Sequence, residues 1–108
     1  MHLVQLLLPL YDNEGRDFPR AHFERVASEL TTRFGGLTAY TRAPAEGRWR
    51  DDSEPEGSAD GASRDEIIVY EVMTYPLDTG WWRDYRTELE TLFAQDHIVV
   101  RAQEITLL

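Results

Sequence analysis

Two helix-forming stretches, each placed between strand-forming stretches, constrain the fold of this chain most strongly. Apolar residues recur at helical spacing from Phe23 to Phe34 and again from Trp82 to Phe93. The first stretch partly repeats in the second at a shift of 59 positions, which pairs Phe34 with Phe93. The chain order is therefore strand, helix, strand, strand, helix, strand, as two successive β-α-β units would produce.

The flanking segments have the residue patterns of strands and helix ends. Strands are predicted at residues 3–8, 37–42, 66–75 and 98–105. Gly35 and Gly36 supply a left-handed end for the first helix, and Asp78 or Thr79 caps the second. In the second helix, Trp82 is predicted to face the core.

This order predicts an α+β fold of the ferredoxin-like type, β-α-β-β-α-β. Its four-stranded antiparallel sheet has the order 4-1-3-2, and both helices cover one face. The 108 residues are predicted to form one domain, 1–108. Residues 44–64 form a long acidic connection between β2 and β3, which is a lid, an extended hairpin or a mobile segment.

The second face of the predicted sheet is uncovered and mixes apolar with polar residues. Alternation places on it Leu3, Gln5, Leu7, Thr38, Tyr40, Arg42, Val69, Glu71, Met73, Val99, Arg101 and Gln103. An exposed apolar surface of this kind marks an interaction site.

The predicted site residues on this face are Tyr40, Arg42, Glu71 and Arg101. Two guanidiniums and a phenol can hold a small carboxylate or enolate, and Glu71 is a candidate general base. The alternative is a cross-strand set of ion pairs at a dimer interface, with Glu71 neutralising the arginines.

Two residues beyond this face complete the set of candidates. Trp49, between two arginines in the long connection, is either a lid over the face or the anchor of a hairpin. His97, at the start of the last predicted strand, is the second candidate base.

Composition excludes several classes of function. The chain has no cysteine, and all of its 11 basic residues are arginine, so disulfides, thiolate chemistry and lysine Schiff bases are ruled out. The formal net charge of −9, without a basic cluster, argues against nucleic-acid binding. Seven of the 20 acidic residues lie within 51–66, so the uncovered face is locally more positive.

Neither a metal nor a cofactor is predicted. A calcium-type loop beginning at Asp52 would have Ser63 where a bidentate glutamate is needed, and the three histidines lie on different predicted elements. The N-terminus lacks a positive region before its short apolar run, which predicts no signal peptide, no membrane segment and a cytoplasmic protein.

The segment 33–40, Arg-Phe-Gly-Gly-Leu-Thr-Ala-Tyr, with Gly-Arg-Trp at 47–49, is similar to a family of small uncharacterised bacterial proteins. The layout outside 44–64 resembles the dimeric α/β-barrel proteins, which pair open sheet faces around a cavity. This resemblance implies a homodimer with a ligand site between the faces. Cofactor-free monooxygenases, lactone isomerases, haem-degrading enzymes and proteins without known activity share this fold, so it selects no function. No histidine matches a haem ligand.

Three functions are therefore open. The leading hypothesis is a homodimer that binds a small anionic or aromatic molecule on the uncovered face without catalysis. A cofactor-free monooxygenase or isomerase is the second, with Glu71 or His97 as the base and the arginines stabilising an oxyanion. The third is a protein-interaction module, recognised through the acidic connection, that takes no small ligand.

Overall fold

The computed structural model describes residues 1–49 and 63–108, and the side chains of 42–49 and 63–65 are outside this description. Its elements are, in chain order, β1 (His2–Pro9), α1 (Arg20–Phe34), β2 (Thr38–Trp49), β3 (Ser63–Thr74), α2 (Thr79–Leu92) and β4 (Val100–Glu104). The strands form one antiparallel sheet in the order β2-β3-β1-β4. This is the predicted order 4-1-3-2 read from the other edge, and it confirms the ferredoxin-like α+β fold.

Alternation along β1 divides the sheet into a buried face and an open face. Val4, Leu6 and Leu8 are at most 1% exposed, whereas Leu3 and Leu7 between them are partly exposed. The buried face packs against the apolar stripes of both helices, and the resulting core consists of Val4, Leu6, Leu8, Val26, Leu30, Ile68, Tyr70, Val72, Trp82, Tyr85, Leu89, Phe93 and Ile98. Each fully buried Leu, Val or Phe contributes about 1.5–3 kcal/mol, so this face fixes the register of the sheet.

The helix ends follow from single residues that the sequence analysis identified. Gly35 adopts a φ of 82° after α1, where its N–H donates to the carbonyl of Thr31. A left-handed conformation of this kind suits glycine because it has no Cβ. At the start of α2, the side chain of Asp78 accepts a hydrogen bond from the Trp81 N–H at 3.0 Å. Both predicted helix ends are confirmed.

The hairpin of β2 and β3 is longer than predicted. The sequence pattern predicts that β2 ends at Arg42, but the strand continues through Trp49, which pairs with Ser63. Tyr40 pairs with Val69 and Ala45 with Ile67, so residues 41–44 are accommodated by an irregularity in the ladder. Pro44 lies within it, and β-bulges are among the places where a sheet tolerates a residue without an N–H. The strands thus include both ends of the predicted connection 44–64, and its residues 50–62 lie outside the described part.

The described residues contain no helix that is long and apolar enough to span a membrane.

Candidate functional site

A row of four polar side chains crosses the open face, with one residue from each strand. We call Arg101, Gln5, Glu71 and Tyr40 the cross-sheet row; they come from β4, β1, β3 and β2 respectively. Gln5 pairs with Arg101 on one side and with Glu71 on the other, so the first three residues lie side by side. Tyr40 pairs with Val69, two residues before Glu71, and therefore reaches the row along a diagonal.

Hydrogen bonds join the cross-sheet row from end to end. Arg101 Nε donates to Gln5 Oε1 at 2.9 Å, and Gln5 Nε2 donates to Glu71 Oε1 at 2.7 Å. The Tyr40 hydroxyl donates to Glu71 Oε2 at 3.3 Å. The amide of Gln5 thus uses its acceptor toward the positive group and its donor toward the negative group. This arrangement orients the amide and couples the charges of Arg101 and Glu71 across β1.

The members of the row differ in exposure and in free hydrogen-bonding capacity. Gln5 and Glu71, on the central strands, are half-buried, whereas Tyr40 is 52% exposed and Arg101 is also exposed. A guanidinium has five N–H donors, and the row uses one of those of Arg101. Among the described residues, no carboxylate lies within ion-pair distance of Arg101. The β4 end of the row therefore offers donors to an anion.

Apolar side chains lie on both sides of the cross-sheet row. Leu3 pairs with Met73 on one side, and Leu7 pairs with Val69 on the other. Met73 is 51% exposed and Val99, at the β4 edge, is 37% exposed. An apolar surface with a few fixed polar groups at its centre is the composition of a small-molecule site.

Three of the predicted ligand and base residues come together in this row: Tyr40, Glu71 and Arg101. The backbone of Arg42 lies in the irregular segment of β2, and Trp49 is the last residue of that strand. The side chains of both residues, and the predicted choice between lid and anchor for Trp49, fall outside the described part. The Arg42–Glu71 contact therefore remains a prediction.

His97 is not brought to the cross-sheet row. It precedes β4 and lies beside α2, where its Nδ1 is 3.7 Å from Glu90 Oε2. The same carboxylate oxygen accepts a hydrogen bond from the Ile98 N–H at 3.0 Å, which ties this connection to the helix. Because α2 packs on the buried face of the sheet, His97 lies away from Tyr40, Glu71 and Arg101, and its role as the second candidate base stays a prediction.

Gln5 is the member of the row that the sequence analysis did not single out. It was placed on the open face, but a neutral amide gives no signal of charge pairing. The available signal was its position, because Gln5 is the one polar residue within the apolar run 3–8. In the sheet order 4-1-3-2, a polar residue of the first strand lies between those of the third and fourth strands.

Comparison with known proteins finds no matching family model and no similar curated protein. The resemblance to small uncharacterised bacterial proteins therefore stays a prediction from the sequence. Among solved structures, the chain is similar to a phage SAM lyase in complex with S-methyl-5′-thioadenosine, with a TM-score of 0.60 and 13% identity. The match covers 95% of this chain and 80% of the lyase chain. At this identity the likeness establishes a shared fold and leaves function to the site.

Proposed function

We propose that this protein binds a small molecule with an anionic group and an aromatic or apolar body on its open sheet face. The observation that supports this function best is the cross-sheet row, in which four side chains from four strands form one hydrogen-bonded chain. On a fully solvated face, each of these polar side chains could instead make its hydrogen bonds to water. Their mutual orientation within an apolar surface is the pre-organisation that a ligand site needs.

The two ends of the row suit different parts of the ligand. The guanidinium of Arg101 has N–H groups left for a carboxylate or another planar anion, which it can bind through two parallel hydrogen bonds. The exposed ring of Tyr40, with Val69 and Leu7 beside it, offers an apolar surface for the body of the molecule. An aromatic acid or a nucleoside-like ring has this combination.

A second copy of the chain is the partner that we propose for the open face. Pairing two copies would cover Met73 and Val99, which are exposed in the single chain. It would also bring unlike charges together, since a two-fold axis can oppose Arg101 of one copy to Glu71 of its partner. The similar phage lyase holds a thioadenosine, and a molecule of that size on a sheet face needs a second wall.

Catalysis is the alternative, with Glu71 as the base of a cofactor-free monooxygenase or isomerase. In the present arrangement each oxygen of Glu71 already accepts a hydrogen bond, one from Gln5 and one from Tyr40. Proton abstraction requires the substrate within hydrogen-bond reach of one of these oxygens, so a donor would have to move. Binding is therefore the function that the geometry supports better.

Native mass spectrometry of the purified protein tests the proposal, because it reports the subunit count and any retained molecule together. We expect a dimer that carries, or takes up, a small molecule such as S-methyl-5′-thioadenosine or an aromatic acid. Tyr40→Ala removes the proposed ring contact and should weaken uptake about tenfold, corresponding to a loss near 1.4 kcal/mol. Tyr75→Ala is the matched control, since Tyr75 is 79% exposed and follows β3.

Two outcomes would contradict the proposed function. A dimer that takes up nothing would favour the protein-interaction alternative. Equal uptake by the Tyr40→Ala and Tyr75→Ala proteins would place the ligand elsewhere. Glu71→Gln then separates binding from catalysis: a binder keeps its affinity within a few fold, whereas an enzyme of the alternative type loses turnover.

A further inference from the structure

A cleft lies at the β4 edge of the sheet, between α2 and β4. It has a volume of about 200 Å³ and is lined by residues of β1, β4, the segment before α2 and the first turns of α2. Val4, Val100 and Ala102 contribute from the strands, and these positions alternate with Gln5 and Arg101 of the cross-sheet row. The apolar wall of the cleft therefore belongs to the helix-covered side, and Arg101 at the β4 edge is the residue that the cleft shares with the cross-sheet row.

Most of the wall of this cleft is apolar. Val4 and Trp82, which are 1% and 6% exposed, belong to the core, and Leu77 and Val100 pack against that core. A fully hydrated ion would gain little from such a surface. The apolar body of an organic molecule would instead remove these side chains from water.

The polar part of the cleft is positive. Three of its lining residues are arginines, Arg83, Arg86 and Arg101, and none of the lining residues that the structure describes is acidic. This concentration stands out in a chain with a formal charge of −9. Arg83 and Arg86 are three positions apart on α2, so they lie on one face of the helix.

Arg86 has an unused hydrogen-bond donor at this site. Its Nε is shielded from solvent and has no hydrogen-bond partner among the described residues. Among the described residues, the carboxylate within ion-pair distance is that of Glu90, whose Oε2 lies 3.9 Å from this nitrogen and is too far for a hydrogen bond. Buried donors normally have a partner, so this nitrogen has room for an acceptor that the chain itself does not provide.

We infer that this cleft binds a small apolar carboxylate, such as a monocyclic aromatic or branched-chain acid. The carboxylate accepts from the guanidiniums of Arg86 and Arg83, and the apolar body lies against Trp82 and Val100. The volume of about 200 Å³ is below the roughly 300–1,000 Å³ of pockets for drug-sized ligands, which limits the ligand to a small acid. This site goes beyond the proposed function, because its apolar wall and its two helix arginines lie on the helix-covered side; among the described residues, Arg101, at the β4 edge, is the one that lines the cleft and also belongs to the cross-sheet row.

Titration of the ¹⁵N-labelled protein with benzoate, followed by NMR, tests the inference. Benzoate should shift the amide signals of α2 and β4. Benzamide, which has the same shape without the charge, and sulfate, which has charge without an apolar body, should bind at least about tenfold more weakly. Equal affinity for benzamide or sulfate would overturn the assignment of a carboxylate site.

Variants of the cleft complete the test. Arg86→Gln and Arg83→Gln should each weaken benzoate binding, by about tenfold for Arg86. Arg20→Gln is the matched control, because the side chain of Arg20 is 91% exposed on α1 and pairs with Glu24. Ala102→Leu keeps both guanidiniums but fills the cleft, so it should abolish binding. This variant tests the site independently of any effect that Arg86→Gln has on folding. Unchanged affinity in the Ala102→Leu protein would overturn the inference.

The result also separates this inference from the proposed function. Tyr40→Ala should leave the benzoate-induced shifts in α2 and β4 unchanged. Benzoate shifts confined to the amides of Gln5, Glu71 and their neighbours would overturn the cleft and support the open face. Because Arg101 of β4 lines both sites, the amides of α2 distinguish them: shifts in α2, with no ligand found for the open face, would support the cleft and contradict the proposed function.

Discussion

Replacing Gln5 with alanine removes the centre of the cross-sheet row. The substitution eliminates both the acceptor that Arg101 uses and the donor that Glu71 uses. It leaves the backbone pairing of β1 in place, because the ladder depends on main-chain groups. The change in stability therefore reports mainly on the two side-chain hydrogen bonds.

The expected loss can be worked out from the two contacts. Hydrogen bonds to charged groups contribute about 1.5–3 kcal/mol when shielded from water, but Glu71 is half-buried, so we expect roughly 1 kcal/mol for the 2.7 Å bond. The bond from the exposed Arg101 adds roughly 0–1 kcal/mol. Gln5→Ala should thus lower the free energy of unfolding by about 1–2 kcal/mol, and the Tm by about 4–8 °C for each kcal/mol.

Urea unfolding followed by tryptophan fluorescence measures this loss, with the protein concentration held constant because a dimer would add its own stability. Gln103→Ala is the matched control: Gln103 is an exposed glutamine on the same face, and it makes no side-chain hydrogen bond among the described contacts. The control should change stability by less than about 0.5 kcal/mol. If Gln5→Ala and Gln103→Ala lose the same amount, the row is not the pre-organised network that we describe.

Three further predictions concern the frame that carries this face. Gly35→Ala should cost about 1–2 kcal/mol because of its left-handed φ, whereas Gly36→Ala, whose φ lies outside that region, should cost less than about 0.5 kcal/mol; thermal unfolding compares them. Asp78→Ala should cost about 1 kcal/mol by removing the cap of α2, and urea unfolding that shows no loss would contradict this role. Burial, and next the negative charge of Glu29, raise the pKa of Tyr85. In the unfolded chain, the Tyr85 hydroxyl loses its proton near pH 10, whereas the folded protein holds it to a higher pH. The stability should therefore be complete below about pH 10 and fall above it. Tyr85→Phe should reduce this loss in urea midpoints measured from pH 8 to 11, and an unchanged pH dependence would contradict the assignment.

The sheet order and its two faces were predictable because the relevant residues repeat a short-range pattern. Val4, Leu6 and Leu8 alternate with Leu3, Gln5 and Leu7 along β1, and burial of one set fixes the side of the other. Given the order 4-1-3-2, the sharing of one face by Tyr40, Glu71 and Arg101 followed from the same alternation.

The length of the hairpin and the position of His97 could not be predicted in the same way. Pro44 and Gly47 indicate the end of a strand in a local pattern, yet β2 is an edge strand and its irregularity accommodates the proline. His97 has the spacing of a residue on the last strand. Its position is set by Glu90, which is seven residues earlier on α2 and binds the neighbouring Ile98 N–H. Tertiary contacts of this kind leave no periodic signal.

The open face is proposed to be a functional surface that a ligand or a second copy covers, and the oxidation rates of the two methionines test this most directly. Met73 lies on that face with 51% exposure, whereas Met1, at 38% exposure, precedes β1 and serves as the internal reference. Peroxide converts an accessible methionine to its sulfoxide, and mass spectrometry of peptides follows each residue separately. As protein concentration rises or ligand is added, we predict that Met73 becomes protected relative to Met1. Equal oxidation rates at every concentration, with and without ligand, would contradict the account.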